Sequence, residues 1–191
     1  MDATALTRLW AEKWPECSKL PYEIRRERDR WVRFHALPGS KRYPGTALEY
    51  EIVLHRHNTV LTELATGSSE VLVMTAGYSE SRSPERSVAT AAAHPGAWHW
   101  TSTPIHESGQ HLHLYVSRVR WNPGLVDPLL RLVADDVIAD VLLTDAGLEW
   151  LYHPYDGGMD VVTSSIAARN ALREHHRDWL PANPGASTPT R

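Results

Sequence analysis

Apolar residues along this chain recur with two spacings, and the changes between them mark out the elements. Leu6, Leu9, Trp10 and Trp14 recur at helical spacing and Pro15 stops the pattern, which predicts a short amphipathic helix. In "RWVRFHAL" the period drops to two, with Val32 and Phe34 on one side and Arg33 and His35 on the other, as in a strand. "PGSKRYPG" reads as a loop. Thr46 and Glu49 then form a capping box for a long helix. Tyr50, Val53, Leu54, His57, Leu61 and Leu64 give this helix its apolar stripe, and Gly67 is placed to close it.

"EVLVMTAGY" is short enough for a buried strand, and the stretch after it, rich in Ser, Ala, Pro and Gly, reads as a long surface excursion. "QHLHLYVSRVRW" alternates strictly, with Leu112, Leu114 and Val116 inward and His111, His113 and Tyr115 outward. Asp127 and Pro128 suit the N-cap and first turn of a short helix, "PLLRLVADD". "VIADVLLT", "LEWLYH" and "MDVVTS" are three further strands. Ser164 or Ser165 caps a last helix whose buried face carries Ala168, Leu172, His175 and Trp179. These elements predict an α+β fold: a single-domain α/β sandwich over 1–181, with a flexible tail at 182–191. The strand–helix–strand unit favours a parallel pair and the hairpins antiparallel ones. The expected sheet is therefore mixed, mostly antiparallel, with five or six strands and helices packed on it.

The 191 residues are enough to bury a core without disulfides or a metal, and Cys17 is the single cysteine. No stretch has the ~18 apolar residues of a membrane span, and the first residues lack the pattern of a secretory signal. The expectation is a cytoplasmic protein with no membrane partner. Eight Trp against one Phe bring many indole N–H groups that need partners. Net charge is −3, but it is unevenly spread. Residues 19–42 are basic and residues 127–160 acidic, with Arg131 the sole cation of the latter. The two regions either answer each other within the fold or face solvent; the basic run, 25–42, could also meet a phosphate backbone.

Common catalytic signatures are absent. "HESGQH" (106–111) has one residue too many between Glu107 and His111 for a metalloprotease helix. His94, His99, His106, His111 and His113 are close in sequence, but no carboxylate or thiol completes them at ligand spacing, so no metal and no cofactor is expected. His57 reads as a hydrogen-bonded core residue. In "WLYHPYDGGMD" (150–160) a two-residue turn at Asp156-Gly157 sets His153 beside Asp160; a three-residue turn sets His153 opposite Val161 and dissolves that pair. Gly157 and Gly158 are expected to supply positive φ.

"WVRFHALPGSKRYP", "LHRHNTVLTEL", "PLLRLVADD", "WLYHPYDGGMDVV" and "LREHHRDWL" together resemble a group of uncharacterised bacterial proteins, common in actinobacteria and classed as a domain of unknown function. The resemblance spans roughly residues 10–185 and implies a bacterial intracellular protein. It carries no catalytic assignment. Arg33, His35, Trp150, Tyr152, His153, Tyr155, Asp156 and Asp160 are the candidate site residues. The leading expectation is a non-catalytic protein-binding domain, an immunity- or antitoxin-like partner of another bacterial protein, with an exposed aromatic patch near 150–160. The alternatives are a metal-assisted hydrolase or nuclease using His35, His153 and Asp160, and nucleic-acid binding through 25–42, the least favoured.

Overall fold

The computed structural model describes residues 1–17, 19–66, 70–105 and 108–181. Five helices, α1 (Ala3–Lys13), α2 (Ala47–Leu64), α3 (Val88–Ala93), α4 (Asp127–Ala134) and α5 (Ile166–His175), surround one sheet. Its strands are β1 (Trp31–His35), β2 (Glu70–Ser79), β3 (Trp98–Ile105), β4 (Gln110–Arg120), β5 (Leu142–Asp145), β6 (Leu151–Tyr155) and β7 (Gly158–Val162). They lie in the order β1-β7-β6-β5-β2-β4-β3, and every neighbouring pair is antiparallel. The α+β class therefore holds, but the sheet has seven strands rather than five or six and is not mixed. The expected parallel pair fails because α2 carries the chain across the sheet. β1 and β2 are its ends' neighbours in sequence, yet β7, β6 and β5 lie between them. Among the described residues, no helix is long and apolar enough to cross a membrane.

Both faces of the sheet are covered. On one, α2, α4 and α5 bury Leu61, Leu130, Val133 and Leu172 against Phe34, Val73, Leu143, Tyr152 and Val161. On the other, α1 and the 3-10 turn Pro21–Arg26 bury Leu6, Trp10, Trp14 and Ile24 against Leu72, Leu114, Leu151 and Val162. The indoles find their partners: Trp10 donates to the Cys17 carbonyl (3.1 Å) and Trp14 to that of Leu148 (3.0 Å). Double coverage also changes the reading of β4. His113 and Tyr115 alternate with the apolar residues as expected, but they are buried rather than outward.

Caps follow the sequence in part. Asp2, Thr46 and Ser165 accept from Ala5, Glu49 and Ala168 backbone N–H groups. Asp127 does not cap α4: Val126 holds the cap position without a side-chain bond, and Asp127 accepts from Asn58 Nδ2 at 2.8 Å instead. The position expected of Gly67 lies outside the described residues, and α2 ends at Leu64. The excursion after β2 contains α3 and a full strand, β3, whose Trp98 and Trp100 point into the second core. β3 is an edge strand, where Pro104 costs no ladder bond. "VIAD" is loop, with Asp136 and Asp140 in left-handed backbone (φ 55° and 56°), and the strand begins at Leu142. At the last helix the buried histidine is His176, 5% exposed, not His175, because the helix ends there and the chain turns into Arg177–Trp179.

The 150–160 hairpin has the two-residue register, pairing Tyr155 with Gly158 and His153 with Asp160. Its glycines serve a different purpose from the one expected. Neither has positive φ. A Cβ at Gly158 would lie 2.0 Å from the Phe34 carbonyl oxygen, so glycine is required for β1 to approach β7. Pro154 fits because β5 pairs with β6 only at Leu143–Tyr152 and has ended beside it. Gly158→Ala is expected to cost about 1–3 kcal/mol, the range of overpacking changes. Gly96→Ala, with open space around its Cβ, serves as the near-neutral control. Denaturant titration compares them, and equal midpoints would refute the close-approach explanation.

Candidate functional site

Strand alternation places three rows of side chains from β1, β7 and β6 on the face covered by the 3-10 turn Pro21–Arg26. The middle row is Arg33, Asp160 and His153. Trp31 precedes it on β1, and His35 and Tyr155 follow. Asp160 is 1% exposed. Its Oδ1 accepts from Trp31 Nε1 (2.9 Å) and Arg33 Nε (2.8 Å), and its Oδ2 from Arg33 Nη2 (2.7 Å). The Arg33 guanidinium lies over the Tyr155 ring at 4.7 Å. A planar fork bound to both carboxylate oxygens in this way is a strong, directional pair.

His153 stands next to Asp160, but its Nδ1–H donates to the Val141 carbonyl at 2.8 Å. Burial lowers its pKa, against the opposing pull of Asp160. The ring is thus a neutral imidazole with a fixed tautomer. Tyr152 lies on the opposite face, where its hydroxyl shares a 2.6 Å hydrogen bond with His57 Nδ1. Burial pushes His57 down to about 3. Trp150 is 6% exposed within the first core. Asp156, also buried, accepts from Arg42 Nε at 2.5 Å, and its carboxylate raises the pKa of the neighbouring Tyr43 hydroxyl. His35 is half-buried, burial lowers its pKa, and its carbonyl accepts from Arg56 (2.9 Å).

The structure therefore brings Arg33, His153, Tyr155 and Asp160 together, with His35 one row away and Trp150 and Tyr152 on the other side. The expected exposed aromatic patch at 150–160 does not form, because these residues are the sheet's interior. Trp31 and Val141, which complete the row, were not singled out in the sequence; the Trp31 indole at an i−2 position from Arg33 was the available signal. The arrangement can hold charge inside the fold. It offers no carboxylate oxygen turned to solvent for a metal or a water.

The histidines of 94–113 use hydroxyl partners. His94 bonds Thr75 and Ser117 Oγ, and burial pushes it down to about 4. His113 Nδ1 meets Ser102 Oγ at 2.7 Å and its Nε2 meets Ser79 Oγ at 3.0 Å, while His99 also reaches Ser102. Among the described residues they form no three-ligand group; His106 lies outside them.

The basic segment is largely answered by acids. Arg26 pairs with Glu23, Arg30 with Glu27, Arg33 with Asp160, Lys41 with Glu49 and Arg42 with Asp156. Two of these pairs join the basic region to the acidic one. A groove of about 460 Å³ beside it is lined by Arg26, Glu27, Arg28, Asp29, Arg30 and Ile166, a mixed rather than a positive surface.

Asp160→Ala removes the carboxylate that matches the buried Arg33 guanidinium and is expected to cost about 3–5 kcal/mol. Arg33→Ala combined with Asp160→Ala should lose less than the sum of the singles, and an additive denaturant result would refute the coupling. The pH dependence has a definite sign. His57 and His94 have folded pKa values below the unfolded 6.5. Their unfolded forms bind protons first, so their contribution is complete above 6.5 and is lost as pH falls toward 4 and then 3. His57→Asn should reduce the slope of stability between about pH 6 and 4.5 by roughly 1.4 kcal/mol per pH unit. An unchanged slope would contradict a neutral, buried His57.

No curated protein and no solved structure matches the chain. A family model described as a domain of unknown function (DUF3885) matches residues 20–184, which take in every element from the 3-10 turn beneath the Arg33–Asp160 row to the Arg177–Trp179 turn. The chain belongs to the DUF3885 family.

Proposed function

We propose that the chain is a non-catalytic protein-binding domain of the immunity or antitoxin kind, acting inside a bacterial cell, and that it receives a basic protein on a tyrosine- and aspartate-lined face. The observation that carries this reading is the 135–140 loop. Asp135, Asp136 and Val137 are exposed, and Val137 is 57% accessible. The loop is pinned at both ends by tyrosines, Tyr50 donating to Asp135 and Tyr78 to Asp140. Tyr43 and Tyr78 are each 43% exposed. Tyrosines held in place by their hydroxyls lose little freedom on binding, which suits them as interface anchors. Asp136 and Asp140 both take left-handed backbone, which sets the course of this short loop. Arg42 is neutralised by Asp156, and Asp135, Asp136 and Asp140 outnumber Arg131, which stands over Tyr50, so the face keeps an acidic excess.

Two features weigh against the enzyme reading: Asp160 has both oxygens engaged, and His153 is buried with its Nδ1–H held by the Val141 carbonyl. Nucleic-acid binding through 25–42 is weakened by the internal ion pairs of that segment. The test is affinity purification from the native cell with the wild-type chain, Asp135→Lys with Asp136→Lys, and Glu12→Lys as an exposed control. A basic partner retained by wild type and control but lost by the double variant is expected. Retention by the double variant would overturn the reading. In parallel, mixed-sequence DNA and RNA should show no salt-sensitive retention at physiological ionic strength; tight binding that falls steeply with salt would favour the nucleic-acid alternative.

A further inference from the structure

We infer that Glu63, His175 and His176 form a binding site for one divalent transition-metal ion of the zinc class. The site joins the end of α2 to the end of α5, far in sequence from the histidines of 94–113. His175 Nδ1 lies 3.0 Å and His176 Nε2 2.9 Å from the same Glu63 oxygen, Oε2. One ligand atom from each residue lies within 4.8 Å of the other two. Ligands about 2.0–2.1 Å from a tetrahedral zinc stand roughly 3.3 Å apart, so small movements convert the cluster into a coordination shell.

The parts differ in rigidity in a way that suits a site. The His176 ring is 5% exposed, stacked on Trp179 at 4.4 Å and edge-on to Phe34 at 5.7 Å, so its Nε2 direction is set by the core. The His175 side chain is 67% exposed and that of Glu63 35%, so an ion can reach them and both can adjust. Adjacent histidines share this side because the helix ends at His175 and His176 leaves it at φ −111°, ψ 33°. The rings stack 4.5 Å apart.

Electrostatics favour a cation here. Glu63 sits in the last turn of α2 and both histidines at the C-terminus of α5, where unpaired carbonyls carry partial negative charge. Two imidazoles and one carboxylate suit zinc, cobalt, nickel or copper rather than magnesium or calcium. Without an ion each ring presents an N–H to Glu63. With one, the protons sit on His175 Nε2 and His176 Nδ1, and the facing lone pairs bind. Three protein ligands leave a position open to solvent.

The test uses untagged, metal-stripped full chain titrated with Zn²⁺ by calorimetry and with Co²⁺ by visible absorption. The expected result is one ion per chain, the absorption of nitrogen-and-oxygen-ligated Co²⁺, and a rise in melting temperature with Zn²⁺. His175→Ala removes an exposed ring and Glu63→Gln keeps its shape; each should weaken binding by at least about 100-fold, beyond the loss typical of an outer-shell partner. His99→Ala, exposed in the other histidine-rich region, should bind as wild type. Absence of binding at millimolar Zn²⁺ overturns the site. So does binding that folded His175→Ala and Glu63→Gln retain, or that His99→Ala loses. These outcomes are independent of whether a basic protein docks on the 135–140 loop.

Discussion

The buried Arg33–Asp160 pair is the interaction on which the edge of this fold depends. β1 pairs with β7 alone, and β7 is buried along its whole length. A carboxylate placed there must be matched at both oxygens, because an unmatched charge in the interior costs several kcal/mol. Arg33 and Trp31 supply the match from β1, and Tyr155 lies against the guanidinium from β6. Gly158 lets the two backbones close to that distance. With β1 held, Phe34 enters the first core and meets His176, which orients the end of α5. Asp156 and Arg42 repeat the same pairing at the hairpin tip and tie the loop before α2 to the sheet.

Most elements were legible because their apolar period was clean. The stripe of α2, the alternation of β1 and β4 and the capping residues of α2 and α5 each follow from local chemistry. The hairpin register was legible once a two-residue turn was allowed. What escaped was tertiary. Alternation shows which residues share a face, but not that both faces are covered, so it places His113 and Tyr115 outward although both are buried. β3 hid in a stretch rich in small residues, although Trp98 and Trp100 two apart were its signal. Helical spacing put His175 on the buried stripe, whereas a helix that stops there hands that role to His176.

The candidate residues divide in the same way. Arg33, His153, Tyr155, Asp156 and Asp160 stood out because polar groups among apolar strands are unusual, and the structure explains them by satisfying them internally. The exposed residues of the proposed face, Tyr43, Tyr78, Asp135, Asp136 and Val137, carry no sequence motif. Their surface exists only because the 135–140 loop crosses from α4 to β5 beside the loop before α2 and the end of β2. The basic and acidic halves of the chain cancel at Arg33–Asp160 and Arg42–Asp156, and what acidity remains exposed on this face is carried by that loop.

The central claim is this division between an internally satisfied polar row and an exposed tyrosine-aspartate face. Amide hydrogen exchange on the chain, alone and with a basic protein of the kind proposed to dock on it, tests it most directly. The division predicts that 150–163 is already protected in the free chain and unchanged by the partner, while 135–140 and 41–50 gain protection in the complex. Rapid exchange of 150–163 in the free chain, or partner-induced protection there with none at 135–140, would contradict it.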